Sequence, residues 1–326
     1  MIKHTISILL LAGSLISQAQ TFTKSSGTTV GNQKVISIPI APGAPTKQAL
    51  IYLPDDYGKT TKRYPVFFFL HGSGEASTDI SKINNTSLPY LIAQGLKPYA
   101  IDSVTKDTIK FIVISPQCSE PGGNCSYSQP QLKYTIPFCL QNYRIDTNCV
   151  WAGGLSAGGS ATFSLGMADT GFTMKYITGL MPMANGGWND NFAAFGKNLA
   201  YCAQRGLAML YVIGTNDPGD NAIGFQAYDK LMNANAKPGR YFSKEIIGGT
   251  HSTNVWNTPF PLTARVWSTT QNSWNQMWAL RRNSNVAPPV VVPPVTIPPV
   301  TTIPPYPVRI LIKYSDSSCT IIWQKP

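Results

Sequence analysis

Histidine is nearly absent from this chain, with three in 326 residues. With so few imidazoles and no CxxC pair, the usual ligand sets of a zinc site are missing, and no metal is expected. Charge is sparse too. Asp, Glu, Lys and Arg make up 13% of the residues against 43% hydrophobic ones, which excludes a coiled coil or a charge-rich disordered chain. No nucleotide-binding glycine loop or cofactor motif occurs, so no cofactor is expected. No apolar run reaches the ~20 residues of a bilayer span, which argues against an integral membrane protein. The net charge of +11 is carried by scattered Lys and Arg, with only short clusters such as "KTTKR" at 59–63 and Arg281 beside Arg282. That is not the contiguous basic stripe of a nucleic-acid binder, and no nucleic-acid partner is expected. Oligomeric state is not legible from the sequence.

What the chain does have begins at residue 1. Lys3, an apolar run from Ile6 to Ile16, and small residues at Ser17 and Ala19 form the pattern of a secretory signal peptide over 1–19, cleaved after Ala19. The expected location is therefore secreted or periplasmic. There disulfides form readily, and the chain has six cysteines. Cys118 and Cys125 bracket a Gly- and Pro-containing loop that a local bridge would staple. Five cysteines (118, 125, 139, 149 and 202) precede the tail, so at least one stays free unless Cys319 pairs with it. Cys149 opens a buried strand and reads as a core thiol.

Between residues 49 and 251, apolar runs of strand length alternate with helical segments. Strands are expected at 49–54, 65–72, 110–117, 149–154, 177–184, 207–214 and 244–249. Helices are expected at 87–95, 129–143, 157–167, 190–205, 221–235 and 263–282. Near-continuous apolar strands separated by helices imply an α/β domain with a mostly parallel sheet covered on both faces. The aromatic-rich segment with Trp267, Trp274 and Trp278 reads as core packing. The domain is expected to run from 20 to 285. A Pro-rich linker over 286–305 follows, with paired prolines over 288–305 that favour a stiff polyproline spacer of ~55 Å at ~3.1 Å per residue. The last stretch, 306–326, reads as two short strands around "SDSS", too small for a core of its own.

Chemistry concentrates at "AGGLSAGGSA", residues 152–161. Here a GxSxG sequence follows a strand and precedes a helix, the context of a sharp nucleophile turn in which glycines clear space for the neighbouring backbone. Ser156 would then stand at the carboxyl edge of the sheet. A serine hydroxyl needs a base to become a nucleophile. His4 falls in the leader and His71 precedes a glycine-rich loop, so elimination selects His251, in "GGTHS" after the last strand. The imidazole needs a carboxylate to fix its tautomer. Asp217, just past a strand end, suits that role, with Asp220 its nearest rival and Asp190 more distant. The order Ser, Asp, His is that of the α/β-hydrolase arrangement. Oxyanion donors are expected from the backbone N–H groups of Ala157 and of Ser73 in "HGSGE". His71 is read as a structural residue of that loop. Trp188 and Trp256 are candidates for an acyl or sugar pocket, and equally for rim packing.

Taken together, "RYPVFFFLHGSGE", "FIVISPQ", "GGLSAGGSATFSLG", "VIGTND" and "GGTHS" resemble the secreted α/β-hydrolase esterases of the feruloyl and acetylxylan esterase and poly(3-hydroxybutyrate) depolymerase-like group, including its predicted peptidases. The resemblance spans roughly residues 45–260. It implies ester hydrolysis through an acyl-enzyme, with Ser156 as nucleophile, Asp217 and His251 as its partners, and the Ser73 and Ala157 amides as oxyanion hole. Two departures bear on substrate preference: Ala157 stands where these relatives have methionine or glutamine, and Ala76 and Ser77 replace a common arginine and glycine. The expected activity is removal of acetyl or feruloyl groups from polysaccharides. A polyester depolymerase, a serine peptidase and a non-catalytic carbohydrate-binding or adhesion protein on the same scaffold are the alternatives.

Overall fold

The central apolar runs become strands buried on both faces. The computed structural model describes residues 27–42, 44–118, 129–185, 190–282, 309–315 and 318–324. The expected leader, the expected linker, Cys125 and Trp188 lie outside them. In chain order the strands are β1 (Thr29–Val30), β2 (Gln33–Ile38), β3 (Lys47–Tyr52), β4 (Tyr64–Leu70), β5 (Tyr99–Ile101), β6 (Thr108–Lys110), β7 (Ile112–Pro116), β8 (Ile145–Ser156), β9 (Gly179–Asn185), β10 (Ala208–Gly214) and β11 (Tyr241–Ile246). The helices are α1 (Ser87–Ala93), α2 (Gln129–Asn142), α3 (Ala157–Ala168), α4 (Thr170–Tyr176), α5 (Asp190–Gln204), α6 (Gly219–Asn235), α7 (Thr253–Trp256) and α8 (Ser273–Ala279).

Nine strands form one sheet in the order β1-β2-β3-β7-β4-β8-β9-β10-β11. From β7 to β11 every neighbouring pair is parallel, while β1, β2, β3 and β7 pair antiparallel. This is the expected α/β architecture with a mostly parallel central sheet. In β4, alternation splits the core cleanly. Val66, Phe68 and Leu70 enter a cluster with α2, α3, α5 and α6, whereas Phe67 and Phe69 enter one with α1, α7 and α8. β10 divides the same way, Met209, Tyr211 and Ile213 to the first side and Ala208, Leu210 and Val212 to the second. Two layers of helix therefore clamp the sheet, and every residue of β4 and β10 is buried.

Three expectations are corrected. The helix expected over 263–282 is only α8, because Ser268 Oγ accepts from the N–H groups of Thr270 and Gln271, and Asn272 Oδ1 accepts from Asn275 N–H. Short polar side chains compete for the backbone there, so the helix starts late. Its core reading holds nonetheless: Trp274 is fully buried and packs edge-on against Phe111 and Phe67. The last strand lies at 241–246 rather than 244–249, since Gly248 turns to φ +71° and Ile247 is 92% exposed. The sheet also gains the edge pair β1 and β2, and a separate β5–β6 hairpin forms.

The expected Cys118–Cys125 bridge involves a residue outside the described ones, and no disulfide is present among the described residues. Cys139, Cys149 and Cys202 are buried, unbridged thiols, and burial raises the pKa of all three. Cys149 donates to Met277 O at 3.7 Å, as a core thiol does. A second unit, Val290–Pro326, contains the antiparallel pair β12 (Arg309–Ser315) and β13 (Ser318–Gln324), with Tyr314 opposite Cys319. Among the described residues, no helix is long and apolar enough to cross a membrane.

Candidate active site

Ser156 ends β8 and caps α3 with φ 53° and ψ −118°, a conformation that non-glycine residues rarely adopt. The turn survives because its neighbours are bare. A Cβ at Gly154 would lie 2.2 Å from Leu70 O, and one at Gly158 would lie 2.0 Å from the same oxygen. Both contacts are with backbone, so neither position accepts a side chain without moving β4. The close approach sets the end of β4 directly beside the serine. A Cβ at Gly72 would stand 3.5 Å from Ser156 Cβ.

His251 comes from the loop after β11, and Asp217 from the loop between β10 and α6. His251 Nε2 is 2.9 Å from Ser156 Oγ, and Nδ1 is 3.0 Å from Asp217 Oδ1. The Asp217 side chain is fully buried, whereas that of His251 is 29% exposed. A carboxylate accepts, so Nδ1 carries the ring proton and Nε2 is left to accept from the serine hydroxyl. Asp217, the favoured carboxylate from sequence, is placed on the imidazole. The side chains of Asp190 and Asp220 lie outside the described residues.

Asn221 was not singled out from sequence. Its Nδ2 donates to Asp217 Oδ1 at 2.5 Å and lies 3.2 Å from His251 Nδ1. Turning the amide over would set its oxygen against the carboxylate, so this orientation is the stable one. Asn221 thus orients the carboxylate from the first turn of α6, four residues beyond Asp217. That i, i+4 spacing is the only sequence signal it offered.

The loop "HGSGE" is built to hold still. Ser73 opens a 3₁₀ turn (Ser73–Glu75) and Ala157 opens α3, so both amides belong to first turns whose N–H groups lack intrahelical acceptors. Glu75 carboxylate accepts from Gly72 N–H at 3.0 Å, and burial raises its pKa. His71 is buried, with Nδ1 donating to Gly72 O at 2.7 Å and Nε2 accepting from Cys118 N–H at 3.1 Å. Burial pulls its pKa down to about 4, so the ring is neutral at pH 7. His71 therefore ties this loop to the end of β7, which agrees with its structural reading.

Trp256, on α7, stands edge-on to the His251 ring at 5.2 Å and packs partly into the second core layer. It is placed at the rim beside the imidazole. Among the described residues no group of three or more His, Cys, Asp and Glu could hold a metal ion. The arrangement can move a proton from Ser156 Oγ to Nε2 beside a buried carboxylate, with the first-turn amide of Ala157 next in the chain.

No protein-family model matches the chain. A curated relative, endo-1,4-beta-xylanase Y of Acetivibrio thermocellus, is 28% identical over 157 residues, covering 45% of this chain. The chain spans 14% of that protein's length. Among solved structures, the chain is similar to the feruloyl esterase module from Clostridium thermocellum complexed with sinapinate, at 19% identity and TM-score 0.48, over 69% of this chain and 84% of that one. It is similar as well to a ferulic acid esterase from Anaeromyces mucronatus in complex with ferulic acid, at 18% identity and TM-score 0.45, over 72% and 89%. A thermostable esterase gives 16% identity and TM-score 0.49 over 70% and 59%.

Proposed function

We propose that this protein is an exported serine carboxylesterase that removes acyl groups, acetyl or feruloyl, from polysaccharides through an acyl-enzyme. The observation that carries the reading is the continuous contact from Ser156 Oγ through His251 to Asp217, at 2.9 and 3.0 Å, on a strained turn at the sheet edge. Ser156 Oγ attacks the ester carbonyl carbon while its proton passes to His251 Nε2. The buried Asp217 carboxylate stabilises the imidazolium that results. Negative charge on the carbonyl oxygen is met by the N–H groups of Ser73 and Ala157, donors typically worth ~10² to 10³ in rate each. Collapse breaks the C–O bond, and the imidazolium returns its proton to the departing alcohol. Water then enters by the same route, and the acid leaves.

Polysaccharide as the acyl carrier is supported by the xylanase-named relative and by the resemblance of the motifs. Export is supported by the leader-like residues 1–19, and the linker and tail fit an enzyme held near an insoluble polymer. Trp188 and Trp256 are the proposed pocket walls. The test is hydrolysis of p-nitrophenyl acetate and butyrate, methyl ferulate and acetylated xylan by the mature protein and by Ser156→Ala. The expected result is turnover by the first, a loss of about 10⁴-fold or more in the second, and acetyl or feruloyl sugar esters ranking first. Folded protein that binds polymer but turns over no ester would sink the proposal and favour a binding scaffold.

A further inference from the structure

At the opposite edge of the sheet, where β9, β10 and β11 begin, a cavity of about 340 Å³ is lined by five cationic side chains and no acidic one: Arg205, Lys237, Arg240, Arg281 and Arg282. The seven residues of β10, at ~3.3 Å each, separate it from Asp217 by roughly 20 Å. It is therefore a place apart from the candidate active site. Met174, Ile177 and Leu207 supply an apolar wall.

The arginines are held rigidly. Arg240 donates through Nε and Nη2 to Gly206 O and through Nη1 to Leu280 O, at 2.7 to 3.0 Å. Arg282 donates to the carbonyls of Met174, Lys175 and Ile177 at 2.6 to 2.9 Å. Carbonyls orient a guanidinium but do not neutralise it. Of the five cations only Arg281 has an ion pair among the described residues, with Asp102 at 3.5 Å. Burial lowers the pKa of both Arg240 and Arg282, and the charge of Arg240 lowers that of Arg282 further.

Charge counting decides between a purely structural role and a binding role. α4, α5 and α6 all end near this edge, and each helix terminus carries at most about half a negative charge. Together they offset about 1.5 of the four positive charges left on Arg205, Lys237, Arg240 and Arg282 once Arg281 is paired. A substantial positive excess remains in a walled cavity, where water screens it less than on an open surface. The volume lies in the range of small-molecule sites.

We propose that this cavity is an anion-binding site for a small organic ligand bearing a carboxylate or phosphate, its oxyanion on Arg240 and Arg282, its body against Met174, Ile177 and Leu207, and Arg205 and Lys237 closing the rim. Removing Arg240 would strip three hydrogen bonds from the fold, so the exposed rim is the place to test it. The double variant Arg205→Glu, Lys237→Glu is compared with the unaltered protein by calorimetric titration with D-glucuronate, inorganic phosphate and D-glucose at constant ionic strength. Saturable binding of glucuronate, phosphate or both, absent for glucose and weakened at least tenfold in the variant, is the expected result, and the preference between the two anions identifies the oxyanion. Equal binding by the variant, binding of glucose as tight as of the acids, or no saturable binding of either anion would overturn it. Turnover of p-nitrophenyl acetate should be the same in both proteins, which keeps this test separate from that of the esterase reading.

Discussion

Two loops deliver a histidine to the same edge of the sheet, and they put it to opposite uses. After β4, His71 spends both ring nitrogens on backbone groups, donating to Gly72 O and accepting from Cys118 N–H. After β11, His251 spends neither on backbone, and its nitrogens face Ser156 and Asp217. One ring is buried and the other partly open to solvent. The difference shows that proximity to a nucleophile does not make a histidine a base. What matters is whether its accepting nitrogen is left for a proton and whether a carboxylate waits to stabilise the charged form.

Substitution at each histidine sharpens that contrast. His251→Ala should lower kcat for p-nitrophenyl acetate by about 10⁴-fold or more while leaving the melting temperature nearly unchanged, as read by steady-state kinetics and calorimetry. An active, folded His251→Ala protein would break the comparison outright.

His71→Asn should do the reverse, costing stability before chemistry. The folded-state pKa of His71 is depressed from 6.5 to about 4, so the unfolded chain binds the extra proton between those values. Its contribution is present in full above pH 6.5 and is lost as pH falls toward 4. At about 1.4 kcal/mol per pH unit, roughly 2 kcal/mol of it has gone by pH 5. Urea unfolding at pH 7 and pH 5 should therefore show the deficit of the Asn variant shrinking by about that amount at the lower pH. A deficit that is constant with pH would mean His71 is not held neutral by burial.

A smaller loss of rate than at His251 is expected at Asn221. Asn221→Leu removes the N–H that steadies Asp217 Oδ1, and kcat should fall about 10- to 100-fold through misplacement of the carboxylate. KM and the melting temperature should hold. A rise in KM with kcat intact would assign Asn221 to substrate contact instead.

Legibility followed chemistry type. β4 and β10 were readable because strands covered on both faces must be apolar throughout, as "YPVFFFL" and "AMLYVIG" are. β1 and β2 were not, because a half-polar edge strand has no run to betray it. The helix end at Asn272 was hidden as well, since a cap is a contest between side chain and backbone that a hydrophobic stripe does not register. Ser156 stood out because glycines enclose it between a strand and a helix, and His251 because histidine is rare in this chain. Asn221 and the arginine cavity did not, because an amide or a guanidinium has no local signature and takes its role from whatever folds against it.

By itself, then, the sequence determined the sheet-and-helix alternation, the glycine-cleared turn at Ser156 and the small set of groups able to serve it. Each of these depends on neighbours along the chain. The tertiary structure alone decided that Asp217 meets His251, that Asn221 orients it, that His71 is spent on backbone, and that five cations from distant segments share one cavity. Apart from the short step between Asn221 and Asp217, those outcomes rest on contacts between residues 30 to 105 positions apart, and their geometry exists only once the two core layers have closed on the sheet.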